Sequence, residues 1–268
     1  MTFAMPRPWT DADPAAMRRA VGVFTDIDDT LTTDGAITPD ALAALGRLRA
    51  AGLHVVAITG RPMGWSEPFA RDWPIDAIVA ENGGVALLRD GGTLRIEYAQ
   101  DDTTRTRNAG RLREIAARVL AEVPGTSLAR DSAGRVTDIA IDHAEHTRLA
   151  APHVAEVVAK MEGAGMNVTV SSIHVNGWFG EHTKLSGARW ITERLFGRAL
   201  EPEIAQWIYV GDSTNDQQMF GHFPLSVGVA NLLAFAGQLT VWPRYLTQGE
   251  RGAGFAEVAD ALCAAHGA

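Results

Sequence analysis

The chain has 268 residues, 46% hydrophobic and 21% charged, which is the composition of a protein that buries a core and excludes disorder as a description of the whole. Its formal net charge of −8 argues against a dedicated binder of nucleic acid or anionic membranes, since such partners are held by surplus Lys and Arg. A single cysteine, Cys263, excludes an intrachain disulfide, no apolar run nears the ~20 residues of a membrane helix, and the first residues bring prolines and acids instead of an apolar leader, so a cytoplasmic protein is expected.

The first element is Val21–Asp28, apolar and β-prone at its start and acidic at its end, as befits a buried strand running out to a polar edge. A helix follows, opened by Thr38-Pro39, carrying Leu42, Leu45 and Leu48 on one side and closed by Gly52. Next come a strand at His54–Gly60, a short helix around Met63–Asp72 and a strand around Ala77–Ala80. This alternation predicts a parallel sheet with crossover helices. The rhythm then changes. Val85–Leu88 and Thr93–Tyr98 read as a hairpin around Asp90-Gly91-Gly92, and a long helix covers Thr104–Glu122. A second hairpin surrounds Ser132-Ala133-Gly134, a second helix covers Thr147–Gly163, and Asn167–Phe179 reads as strand. Two rounds of strand-strand-helix predict an α+β unit inserted into the first fold. After Gly180 the alternation resumes: helix Leu185–Phe196, strand Trp207–Gly211, helix near Asn215–Phe220, strand Ser226–Ala230, a short strand at Leu239–Trp242 and a last helix near Phe255–Ala265.

Open parallel sheets place ligands at the carboxyl ends of their strands. Here those ends carry Asp26-Ile27-Asp28-Asp29-Thr30, Thr59-Gly60-Arg61, Glu81-Asn82-Gly83 and Gly211-Asp212-Ser213-Thr214-Asn215-Asp216, and Lys184 follows the insertion. Asp26 and Asp28 are two apart, so a regular strand points both to one face. With Asp212 and Asp216 four carboxylates converge. Two bare charges 4 Å apart repel by ~4 kcal/mol at an effective dielectric of about 20, so the cluster needs a cation, and all-oxygen ligands favour Mg²⁺. A carboxylate beside such a cation can attack a phosphate in line, a second acid can serve the leaving group and then water, and Thr59, the N–H groups near Gly60 and Lys184 can bind phosphoryl oxygens.

These motifs, in this order and covering nearly the whole chain, resemble the haloacid dehalogenase superfamily, specifically its sugar-phosphatase-like members with a type-IIB cap. The resemblance implies a doubly wound α/β core at 18–84 and 181–268 with an inserted α+β cap at 85–180. It implies Mg²⁺-dependent hydrolysis of a small phosphorylated metabolite, a sugar or glycosyl phosphate, through an aspartyl-phosphate. Carried over by position, Asp26 is the nucleophile and a metal ligand, and Asp28 the general acid/base whose carbonyl also meets the metal. Thr59, Gly60 and Lys184 bind the phosphoryl group, Lys184 also steadies Asp26, and Asn215 orients the phosphoryl group or Lys184. Asp212 and Asp216 serve the metal, and Thr30 supports the loop. Asp29 stands where many relatives carry Gly.

Substrate contacts are expected from Arg61 and Asn82 and from His174, Asn176 and Trp178, which alternate along one strand and so share a face. That face either closes over the site and reads the leaving group or is a packed Trp beside polar rim residues. Arg61 either reaches an anionic substrate or forms a structural ion pair. Two other readings share the motifs: a phosphomutase on a sugar phosphate, and a non-catalytic phosphate-ester-binding regulatory protein. The oligomeric state is not legible in the sequence.

Overall fold

The computed structural model describes residues 5–90 and 92–268; residues 1–4 of the N-terminal segment and Gly91 of the expected hairpin turn lie outside them. In chain order the elements are β1 (Arg7–Pro8), α1 (Pro14–Arg18), β2 (Gly22–Thr25), β3 (Thr32–Thr33), β4 (Ala36–Ile37), α2 (Pro39–Ala50), β5 (His54–Ile58), α3 (Met63–Asp72), β6 (Ala77–Ala80), β7 (Val85–Asp90) and β8 (Thr93–Tyr98). They continue with α4 (Asp102–Glu122), β9 (Ser127–Leu128), β10 (Asp138–Asp142), α5 (Ala151–Gly163), β11 (Asn167–Val170), β12 (His174–Trp178), α6 (Lys184–Phe196), β13 (Trp207–Gly211), α7 (Gln217–His222), β14 (Leu225–Gly228), β15 (Tyr245–Leu246) and α8 (Arg251–His266).

One sheet organises the core, in the order β1-β15-β14-β13-β2-β5-β6-β7-β8. From β1 to β6 all neighbours run parallel. Alternate strand residues serve opposite faces. Val23, Val55, Ile78 and Val210 pack with Leu45, Leu48 and Phe255 on one side, while Phe24, Val56, Val79 and Tyr209 pack with Leu185, Ile191 and Phe220 on the other. Helices thus cover both faces, which is why these strands read as continuous apolar runs. Among the described residues no helix is long and apolar enough to cross a membrane.

The β7–β8 hairpin, expected to open the inserted unit, instead extends the core sheet as an antiparallel edge. Its residues explain why: Val85 and Leu87 join one core cluster and Ala86 and Leu88 the other, so β7 is apolar on both sides and needs both sides covered. The inserted unit has its own sheet, β11-β12-β10-β9, entirely antiparallel. The stretch Asn167–Phe179 is therefore two strands, because Ser171 folds the chain back: its Oγ accepts from the backbone of Ile173 (3.3 Å) and His174 (3.0 Å). On one face of this sheet α4 and α5 bury Leu112, Val119, Ile141, Val157, Met161 and Val175. No strand forms at Leu239–Trp242; there Gln217 Oε1 accepts from the backbone N–H groups of Thr240 (2.6 Å) and Val241 (2.9 Å), and the strand beside β14 comes later, at β15.

Candidate active site

The chain reverses its direction of travel across the sheet at β2, with β5 on one side and β13 on the other. Such a switch point leaves a crevice at the strands' carboxyl ends. Asp26 leaves β2, Thr59 leaves β5 and Asp212 leaves β13, all buried. Carboxylate oxygens of Asp26, Asp212 and Asp216 lie within 4.8 Å of one another.

Lys184, the first residue of α6, reaches into this cluster with its Nζ 2.8 Å from Asp26 Oδ2 and 2.7 Å from Asp216 Oδ1. Burial opposes its charge, but Asp216 and Asp26 outweigh that and hold its pKa above the ordinary lysine range. Asp26 is pushed up to about 7, chiefly by burial, with Lys184 pulling the other way. Asp212 is raised well above the ordinary range by burial first, then by the charges of Asp216 and Asp26. Three buried acids against one ammonium leave the site short of positive charge, and an oxygen-only donor set fits a hard divalent cation.

The three acids are not equivalent. Asp216 has both oxygens occupied by donors: Lys184 and the Tyr209 hydroxyl at Oδ1, the backbone N–H groups of Asp212 (2.9 Å) and Ser213 (3.1 Å) at Oδ2. It folds back over Gly211, where an added Cβ would lie 2.5 Å from Asp216 Oδ2. Asp216, expected to serve the metal, lies in the cluster that could hold one and also places Lys184 and its own loop. Asp212 has only long contacts, from Thr30 Oγ1 at 3.4 Å and Asn231 Nδ2 at 3.5 Å, and keeps its oxygens for another ligand. Asn215 Oδ1 accepts from Ser213 Oγ at 3.0 Å; the Lys184 ammonium points at the carboxylates of Asp26 and Asp216 instead. Thr59 Oγ1 accepts from the Arg61 backbone N–H at 3.0 Å. Asp29 adopts φ +53°, a region glycine enters freely.

Arg61 resolves into an ion pair. Its guanidinium grips both oxygens of Asp28 (2.8–3.0 Å) and also donates to Asp131 (3.1 Å) and Glu145 (2.7 Å) of the inserted unit. It stacks over Trp65, 4.9 Å from the ring centre. The β10–β12–β11 register aligns Asp138 and Asn167 with Trp178, Thr169 with Asn176, and Asp142 with His174, so these side chains share one polar face turned to the core. His174, Asn176 and Trp178 do share that face, and all three are buried. His174 Nε2 bonds Glu145 (2.9 Å), Asn176 donates to Gly60 O (3.3 Å) and Asp138 (3.1 Å), and Trp178 donates to His182 O (2.8 Å). The first two are seam residues, whereas Trp178 also walls a cavity beside Lys184.

Sequence reasoning missed the rest of this seam. Arg135 donates to Gly60 O (3.0 Å) and to both oxygens of Asp138 (2.9 Å each). Glu81 is fully buried and accepts from Met63 N of the core (3.0 Å) and from Val136 N, Thr137 N and Thr137 Oγ1 of the inserted unit. Burial, then the charge of Asp138, pushes Glu81 up to about 7 against those bonds. Glu81 and Asn82 are consecutive at φ +50° and +55°, strain of ~1–3 kcal/mol each that aims one side chain into the seam and the other into the cavity. A run of acids and amides after a strand was the available signal; the partners of Glu81 in the inserted unit lie 55 and 56 residues away.

Residues 23–106 match the model of the haloacid dehalogenase-like hydrolase family. No curated protein sequence matches it. Among solved structures it resembles protein 0175 of Thermoplasma acidophilum (17% identity, TM-score 0.70, 91% of this chain and 98% of that one). It also resembles the sucrose-phosphatase of Synechocystis in complex with sucrose and phosphate (17%, 0.64, 91% and 98%). A third is the trehalose-6-phosphate phosphatase C-terminal domain of C. albicans (14%, 0.70, 98% and 99%). At these identities the likeness is one of fold.

Proposed function

We propose that the chain is a Mg²⁺-dependent phosphomonoesterase acting on a small phosphorylated metabolite through phosphoryl transfer to Asp26. The observation that carries this reading is a buried carboxylate at a strand end, held 2.8 Å from Lys184 beside Asp212, with a second carboxylate two residues on. Asp26, Asp212 and the Asp28 carbonyl would hold Mg²⁺, which when bound neutralises charge on the phosphoryl oxygens. Lys184 orients Asp26 and binds a phosphoryl oxygen beside Thr59 and the Gly60 backbone. An Asp26 oxygen bonds phosphorus as the ester oxygen departs with a proton from Asp28. Asp28 then takes a proton from water, whose oxygen attacks phosphorus and returns Asp26 as a free carboxylate. Arg61 holds both oxygens of Asp28 while also pairing with Asp131 and Glu145 of the inserted unit. Sugar and glycosyl phosphates are the first substrates to try, supported by the two sugar-phosphate phosphatases that share the fold.

The test is phosphate release from a panel of phosphorylated metabolites, with Mg²⁺ or with EDTA, beside Asp26→Asn. Release that requires Mg²⁺ and disappears in Asp26→Asn is expected. Release that survives either change would sink the mechanism, and transfer of phosphate to a second hydroxyl in place of release would make the enzyme a mutase.

A further inference from the structure

The catalytic acids leave the carboxyl ends of the parallel strands. At the opposite edge of the same sheet lies a cavity of about 790 Å³, within the ~300–1,000 Å³ range of small-molecule sites. Three elements bring a guanidinium to it: Arg49 from the last turn of α2, Arg71 from the last turn of α3, and Arg89 from β7, which runs antiparallel to β6 and so ends at this edge. His54 at the start of β5 and Asp76 just before β6 also line it. Phe196, the last residue of α6, packs on His54 with 3.9 Å between ring centres and closes one wall.

Charge here runs against the rest of the molecule. The chain carries a formal net charge of −8, yet this cavity sets three arginines against one acid. That acid is already engaged: Asp76 Oδ2 accepts from the Val55 N–H at 2.8 Å and lies 3.4 Å from His54 Nδ1. Arg49 and Arg89 have no carboxylate partner among the described residues. Arg89 donates its Nε to Ala70 O at 3.2 Å, which fixes one edge of the guanidinium and leaves the other for an acceptor. Arg71 pairs with Glu67 of its own helix at 2.7 Å, but the two side chains are 53% and 38% exposed, so water screens the pair and an anion can exchange for it.

A helix end accounts for part of this, because its partial negative charge attracts cations. It does not account for the convergence. Arg47 shares the last turn of α2 with Arg49 and meets Asp260 at 2.7 Å, whereas Arg49 lines the cavity, and Arg89 belongs to a strand.

We propose that this cavity is a second ligand site, separate from the catalytic cleft, and that it binds a chain of two or more phosphate groups. Guanidinium forks pair phosphate oxygens two at a time, and three forks from separate elements suit an anion whose charge is strung out along a chain. The site goes beyond the phosphomonoesterase reading and does not depend on it.

The test uses the natural protein in EDTA, where no Mg²⁺ can bridge phosphate to the catalytic acids. It is titrated calorimetrically with inorganic triphosphate, a nucleoside triphosphate, inorganic phosphate and a tricarboxylate. Inorganic triphosphate should bind at one site and about tenfold or more tighter than inorganic phosphate. Arg49→Gln, Arg71→Gln and Arg89→Gln should each weaken it about threefold to tenfold. Arg49 and Arg71 are exposed, so their variants carry the test if Arg89→Gln, which loses the bond to Ala70 O, fails to fold. Arg113→Gln, at an exposed position of α4 outside the cavity, and Asp26→Asn in the catalytic cleft should each leave the affinity within about twofold. Equal affinity for the two triphosphates would assign the site to the phosphate chain alone, and tighter binding of the nucleoside triphosphate would make a nucleotide its occupant. Four results would each overturn the proposal: no binding of either triphosphate, a tricarboxylate bound as tightly, affinity that no cavity variant moves, or a loss in Arg113→Gln as large as in the cavity variants.

Discussion

Comparing the protein with and without added Mg²⁺ probes the charge balance at the switch point. Asp26, Asp212 and Asp216 bring their oxygens within 4.8 Å, and Lys184 alone opposes them. Asp26 rises from 3.8 to about 7, burial being the main cause. A carboxyl raised in this way keeps its proton in the folded state at a pH where the unfolded chain has released it. Its contribution to stability is therefore complete below pH 3.8 and is lost as pH climbs to about 7. A shift of ~3 units corresponds to on the order of 4 kcal/mol for one group, so metal-free melting temperatures should fall markedly between about pH 4.5 and 7.5. Mg²⁺ must displace the same proton. Its dissociation constant should fall about tenfold for each unit that pH rises toward 7, per proton released, and flatten above it. Calorimetric titration in buffers of different ionisation enthalpy counts those protons, and thermal melts with Mg²⁺ or EDTA follow the stability. A Mg²⁺ affinity that stays level from about pH 5.5 to 7.5, with no proton release, would refute the reasoning.

Other perturbations follow from the seam and the loop. Arg61→Ala leaves Asp28, Asp131 and Glu145 without their shared cation and should cost ~3–5 kcal/mol in urea unfolding; Arg61→Lys should recover little, since one ammonium cannot reproduce a planar fork shared by three carboxylates. Gly211→Ala drives a Cβ to 2.5 Å from Asp216 Oδ2 and should cost ~1–3 kcal/mol; turnover should fall further than stability alone explains, because Lys184 loses its anchor. Glu81 is raised to about 7, so its contribution also fades as pH rises through that value; in Glu81→Gln the stability difference from the natural protein should shrink between about pH 5 and 8, and a difference that widens would contradict the sign.

Much of this was legible in the sequence because the relevant causes are local. Apolar runs that end in acids define buried parallel strands and their polar ends, and the sheet's layering places those ends together. Hence Asp26, Thr59 and Asp212 were legible as strand ends, and with Lys184 they suggested a site only jointly, by their order along the chain. The same local reading failed where burial on two sides decides: β7, apolar on both faces, belongs to the core sheet rather than to the cap. It failed again where a side chain supplies the turn, as Ser171 does within Asn167–Phe179.

The sequence by itself determined the fold class and the order of the chemical groups, since strand periodicity, helix punctuation and the Asp-rich strand ends are properties of neighbouring residues. Only the tertiary structure decided what each acid is bonded to, because Asp216 accepts from Lys184, Tyr209 and two backbone N–H groups that no spacing rule brings to it. It likewise decided that Arg61 answers to Asp28, Asp131 and Glu145. Those pairings come from docking one folded unit on another, and the strength of a buried charge or amide is set by what that docking places within about 3 Å of it.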